Sequence, residues 1–364
     1  MSVKRARRRG GLAVAIAAVV ALFASMTLAS ASAGASPLAA VSTPGSPAIP
    51  ASVPALGKDL RVPGGIAPSV GAAAAASEYC STCKPPLTYR GGAVMGTPAV
   101  PGRTVVESIY WAPRGTSYSS TFSSVINTFL KNVAAASGAK NNVFSVPVEY
   151  HGLDGKIHYS VGFGGTIADT AAFPAGGCPV TAPYTACVTD AQLQHEIARL
   201  INARHLPVDA AHLYSVFLPA HVNTCDAPGD CTSNAFCGYH SAFSQSGKHV
   251  LYSNEPYPDL VGCNSGQAPN GNPWADTAIK TESHEIIEAI TDPYGTGWID
   301  SAGNEIGDEC SQFYGTVLGS TNPAHSAKTK YNQVIGNGKY YIQTMFSDKA
   351  FKANRLKGCR LGAV

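Results

Sequence analysis

The sequence predicts a mixed α/β domain held together by disulfides, and three observations predict it. Short β-branched and aromatic runs alternate with amphipathic helical runs between residues 104 and 292. All ten cysteines lie beyond an N-terminal stretch that reads as an export signal, so up to five disulfides are expected. The chain has 364 residues of which only 13% are charged, a composition suited to a sizeable buried core.

Taken in order, residues 1–33 read as a signal peptide. Lys4, Arg5, Arg7, Arg8 and Arg9 form its basic region, Leu12 to Ala24 its apolar run, and Ala31-Ser32-Ala33 a small-residue cleavage site. The apolar run is shorter than the roughly 20 residues a spanning helix needs, so no stable membrane insertion is expected after cleavage. Residues 34–77 are rich in Ala, Ser, Pro and Gly and read as an extended linker, wall stalk or propeptide. The domain is expected over residues 78–364.

Thr104 to Trp111 is β-branched and aromatic, the pattern of a strand. Phe122, Val125, Ile126, Phe129, Leu130 and Val133 then mark one face of a helix over about residues 119–136. Val143 to Tyr150 and Lys156 to Phe163 read as further strands, the latter closed by Gly164-Gly165. Thr189 to Gln192 has the capping-box pattern and opens a helix to about Arg204, with Leu193, Ile197, Leu200 and Ile201 inward and His195 and Glu196 on a solvated face. His212 to Leu218 reads as a strand and Cys225 to His240 as a cysteine-rich loop. Strands follow at Lys248 to Ser253 and, late in the chain, at Tyr340 to Phe346. Cys80/Cys83 and Cys178/Cys187 are spaced for local bridges.

The chemistry concentrates between Trp274 and Cys310. Ile279, Ile286, Ile287 and Ile290 recur at helical spacing, Asp276 is a candidate cap, and Asp292-Pro293 ends the helix because a residue before proline is driven out of the α region. His284 and Glu288 lie four apart and so share a face, which lets them hold one metal ion. Glu285 is placed beside them as a general base. The layout is that of a His-Glu-x-x-His zinc helix with glutamate at the second ligand position. A third ligand is sought among Asp292, Asp300, Glu305, Asp308 and His240. Asp308 or Glu305 leads, with Asp308 preferred because Gly307 lets the backbone approach; if that piece is extended, alternation turns only one of the two inward. The run Asp300, Glu305, Asp308 is also oxygen-rich enough for calcium. Tyr239 or His240 could stabilise an oxyanion, although a packed loop residue is the commoner role. Trp274 and Trp298 could stack on sugars or belong to the core.

Other classes are excluded. There is no G-x-S-x-G elbow, P-loop or dinucleotide fingerprint. Five of the 26 Lys and Arg lie in the signal, leaving 21 against 23 Asp and Glu, so no basic surface argues for nucleic acid.

Apart from the extra helix after Thr189, the element order resembles the upper domain of zincin metallopeptidases. Tyr89-Arg90-Gly91-Gly92-Ala93-Val94-Met95, the block from Leu213 to Ser241 containing Cys237-Gly238-Tyr239-His240, and Ser283-His284-Glu285 leading to Thr291-Asp292-Pro293-Tyr294-Gly295-Thr296-Gly297 also resemble plant EXORDIUM and phosphate-induced proteins. That likeness spans about residues 89–310. It implies a secreted, cell-wall-associated protein without an established enzymatic mechanism; those proteins keep the His-Glu pair but carry a small residue where this chain has Glu288. The expectation is therefore a monomeric, secreted, zinc-dependent hydrolase, by class a metallopeptidase, acting on a peptide or cell-wall substrate. His284, Glu288 and Asp308 (or Glu305) would be its ligands and Glu285 its base. The alternative is a non-catalytic EXORDIUM-like wall protein, with carbohydrate binding through Trp274 and Trp298 as a third reading.

Overall fold

A computed structural model describes residues 64–68, 85–98, 103–259, 262–354 and 357–364. At its centre is a mixed six-stranded sheet. The strands are β1 (Gly64–Pro68), β2 (Thr104–Trp111), β3 (Val161–Asp169), β5 (His212–Phe217), β7 (Phe236–Gln245) and β8 (Lys248–Glu255), in the order β1-β7-β8-β5-β2-β3. β8, β5, β2 and β3 run parallel to one another; β7 is antiparallel to β8, and β1 antiparallel to β7. A smaller sheet contains β4 (Ala186–Thr189) and β6 (Val222–Ala227).

Helices cover both faces, as buried parallel strands require. On one face lie α1 (Phe122–Ala135) and α3 (Pro273–Thr291), whose Ile126, Phe129, Ile279 and Ile286 pack with Val106, Leu213 and Leu251. On the other lies α2 (Asp190–Arg204), with Leu193, Ile197, Leu200 and Ile201 against Ile109, Trp111, Tyr214 and Tyr252. The strand pleat sorts these sets, since alternate residues of β2 face opposite ways. Four disulfides are described: Cys178–Cys187, Cys225–Cys231, Cys237–Cys263 and Cys310–Cys359. Cys80 and Cys83 lie outside the described residues, as does the signal peptide.

Several expectations are corrected. Val143–Glu149 is a 3₁₀ helix, not a strand: Asn142 caps it by accepting from Phe144 N, and Pro147 has no N–H for a ladder. β3 runs through Gly164-Gly165 rather than ending there, with a register shift opposite Val106 and Glu107. The cysteine-rich loop is largely strand, and β7 carries His240 on it. The late strand is broken into Gly338–Tyr340 and Met345–Phe346. Gly64–Pro68, inside the Pro-rich segment, forms β1. Glu196 is buried and paired with Arg199, while His195 is exposed.

α3 lies close against β7 at Gly238, where an added Cβ would stand 2.6 Å from Thr281 Cγ2 and 3.0 Å from Asn254 O. Gly238→Ala is therefore expected to lower stability by about 1–3 kcal/mol in denaturant unfolding. An unchanged midpoint would mean the helix does not sit this close.

Candidate metal centre

α3 is the helix the sequence predicts, but its cap is Asn272. The Asn272 side chain accepts from Trp274 N and Ala275 N, Pro273 takes the first-turn position, and Asp276 instead accepts from Asn270. Asp292 ends the helix, and its Oδ1 accepts from Thr296 N at 2.6 Å and Gly297 N at 2.7 Å. Every residue from Ala275 to Thr291 is buried. Lys280, Glu282, His284, Glu285 and Glu288 on this helix therefore need partners, since burying an uncompensated charge costs several kcal/mol.

Most of them have partners. Lys280 Nζ donates to Cys263 O at 2.9 Å, and Glu282 Oε1 accepts from Ser215 Oγ at 2.8 Å. Glu288 Oε1 accepts from Gly307 N and Asp308 N, both at 3.0 Å, which fixes the carboxylate and leaves Oε2 2.9 Å from His284 Nε2. Asp308 Oδ1 stands 3.5 Å from the same His284 nitrogen. A fourth side chain, from β7, completes the neighbourhood: His240 Nε2 lies 3.2 Å from Glu305 Oε2.

Donor atoms of His284, Glu288 and Asp308 lie within 4.8 Å of one another, and so do those of His240, Glu288 and Glu305. Two donors on one tetrahedral zinc, each about 2.0–2.1 Å from it, stand roughly 3.4 Å apart; the 3.5 Å separation matches that spacing, and the 2.9 Å one is shorter, at hydrogen-bond distance. Glu285 Oε1 and Oε2, Glu288 Oε2, Glu305 Oε1 and Asp308 Oδ1 are buried without a hydrogen bond. Native interiors leave few such atoms unpaired, and here those of Glu288, Glu305 and Asp308 belong to the two donor sets that share Glu288. These residues fit a metal ion. The cluster of Cys178, Cys187 and Cys225 does not, because its sulfurs are in disulfides.

The electrostatics agree. Burial raises the pKa of Glu288, Glu305 and Glu285, and neighbouring carboxylates raise it further; for Glu285 and Glu305 the rise is well above the usual range. His284 is pushed the other way by burial, but Glu288 and Asp308 outweigh it and hold its pKa well above normal. Burial takes His240 down to about 4, so it is neutral. Crowded acids holding protons are what a cation relieves.

The expectation that only one of Glu305 and Asp308 turns inward fails. The segment is not a strand but leads into a 3₁₀ turn over Asp308–Cys310, so both face the site. Asp300 does not join them: its Oδ1 accepts from Ala302 N and Asn304 N, closing a turn, and the expected calcium set of Asp300, Glu305 and Asp308 is not brought together. Asp292 is also outside both clusters. Trp298 donates to His151 O and stacks on Tyr89, and Trp274 packs against the core.

Sequence reasoning missed one contributor and misplaced another: His240, one of the third-ligand candidates, is expected on a loop because cysteines and glycine mask the alternation of β7. Gln343 carried no signal at all; its Nε2 is 2.8 Å from His284 Nδ1 and donates to Gly307 O at 2.9 Å. The Gln343 amide on one side and the Glu288 and Asp308 carboxylates on the other fix the orientation of the His284 ring.

Gly307 is needed here. An added Cβ would stand 2.6 Å from His284 Nδ1 and 2.8 Å from Glu288 Oε1. Gly307→Ala is expected to weaken zinc affinity by about 10–100-fold, measured by competition with a chromophoric chelator.

No family model matches this chain, and no curated protein or solved structure matches it. The class is therefore defined by what the molecule shows: a disulfide-containing mixed α/β domain with buried His and carboxylate clusters able to coordinate a metal ion. Among the described residues no helix is long and apolar enough to cross a membrane.

Proposed function

We propose that this protein is a secreted zinc-dependent hydrolase, a peptidase by class. One observation carries the reading: His284, Glu288 and Asp308 converge with unpaired oxygens at one buried point, beside a glutamate whose two oxygens are also unpaired. Zinc in such a donor set supplies Lewis acidity and lowers the pKa of water to about 7. Glu285 is the residue placed to take the proton from the attacking water and pass it to the leaving amine. Its raised pKa suits a group that must both accept and give a proton.

The sheet supports a peptide as substrate. β1 is held to the outer edge of β7 by backbone pairing, with Gly64 opposite His240. An extended backbone thus fits that edge beside a metal-site residue, and a peptide pairing there must take the place of β1. The rival reading, a non-catalytic EXORDIUM-like wall protein, draws on the same burial, since His284, Glu285 and Glu288 are each 0% exposed.

A pool of quenched fluorescent peptides tests the proposal. Cleavage that chelation abolishes and zinc restores is the expected result. Absence of cleavage by zinc-loaded protein, with the N-terminal segment intact or proteolytically removed, would favour the non-catalytic reading.

A further inference from the structure

We propose that the centre holds two divalent cations, with His240 and Glu305 forming a second position that shares Glu288 with the first. The inference rests on the metal-site reading above and goes beyond it in stoichiometry and in the role given to His240.

The two donor sets are distinct and overlap only at Glu288. His284 and Asp308 belong to one, His240 and Glu305 to the other. They come from different elements: His284 and Glu288 from α3, His240 from β7, and Glu305 and Asp308 from the segment that follows α3. Each set supplies one imidazole and one carboxylate of its own, plus the shared carboxylate.

Charge and hydrogen bonding argue against a single ion. Glu288, Glu305 and Asp308 together carry three negative charges when ionised, and among the described residues no Lys or Arg forms an ion pair with any of them. One dication bound by His284, Glu288 and Asp308 leaves a net negative charge around Glu305. That carboxylate is 1% exposed, its Oε1 has no hydrogen-bond partner, and its Oε2 meets only the His240 ring. The His240 Nδ1 is also unpaired. A second dication next to Glu305 supplies the missing counter-charge and uses an imidazole that otherwise has little reason to be buried there. Glu288 suits the shared place, because two backbone amides fix its Oε1 while Oε2 is turned to the His284 ring, 2.9 Å from Nε2. Two cations joined by a carboxylate can clamp the attacking and leaving atoms of a hydrolysis from both sides.

The test is a titration of the metal-free full chain with zinc, read by chelator competition and by elemental analysis after gel filtration. The expected result is two zinc ions per chain, falling to one in Glu305→Gln and in His240→Gln, with thermal melts confirming that each variant is folded. Mn²⁺ in place of zinc is expected to give an exchange-coupled electron paramagnetic resonance spectrum that Glu305→Gln converts to that of an isolated ion. One zinc per wild-type chain overturns the second position and leaves the hydrolase reading standing. Two zinc ions retained by both folded variants also overturns it. No zinc at all overturns both.

Discussion

Glu285→Gln is expected to lower kcat for peptide hydrolysis by about 10²–10⁴-fold, with KM and zinc content nearly unchanged. The substitution keeps the shape of the side chain and removes only its ability to take a proton. Glu285 belongs to neither donor set, so the metal should stay. Its two oxygens have no hydrogen-bond donor, so no structural contact is lost beyond the electrostatic ones to His284 and Lys280. The split between lost turnover and retained metal is what separates a base from a ligand. Loss of zinc along with activity would make Glu285 a ligand or a folding residue, and the assignment of the base would be wrong.

The second large effect is on stability. Burial pushes Asp276, Asp292 and Asp348 up to about 6, Glu282 up to about 7 and Glu309 up to about 8. In the fold each keeps its proton at a pH where the unfolded chain has released it. Between about pH 4 and 8 the folded state therefore binds more protons, and the metal-free protein loses stability as pH rises through that window. His284, held protonated, acts in the same direction. His240 opposes it: its pKa is pushed down to about 4, so its contribution is lost as pH falls from about 6.5 to 4. One opposing group does not reverse the sum. Zinc binding has the opposite slope, because its carboxylate ligands must be deprotonated. The melting temperatures of zinc-loaded and chelated protein are expected to differ by roughly 10 °C at pH 8 and to converge near pH 5. A gap independent of pH would show that the buried carboxylates are not the ligands.

Much of the centre was legible in the sequence, for physical reasons that can be named. His284, Glu285 and Glu288 fall on a periodic run that proline ends, and both ends of that helix carry local signals, although Asn272-Pro273 outranks Asp276 as the start. Gly307 pointed to a close backbone approach, and Glu288 Oε1 does accept from the Gly307 and Asp308 amides. What was not legible depends on tertiary pairing. His240 reaches the site because β7 pairs antiparallel with β8, placing His240 opposite Ser253. Gln343 reaches it from the far C-terminal part of the chain. Glu255 and Glu282 form a second buried acidic pair near Glu285, in which burial and each other's charge hold the pKa of Glu255 well above the usual range. Glu255 ends a strand whose last residue no local pattern marks as acidic core. The Val143–Glu149 segment misled because β-branched residues favour strands, while Asn142 and Pro147 decide its backbone.

The most direct measurement is the metal content of the purified protein by elemental mass spectrometry, wild type beside His284→Ala. Zinc bound by the wild type and lost from the folded mutant is the predicted result. A wild-type protein free of metal, or one whose zinc is indifferent to His284, would contradict the account at its centre.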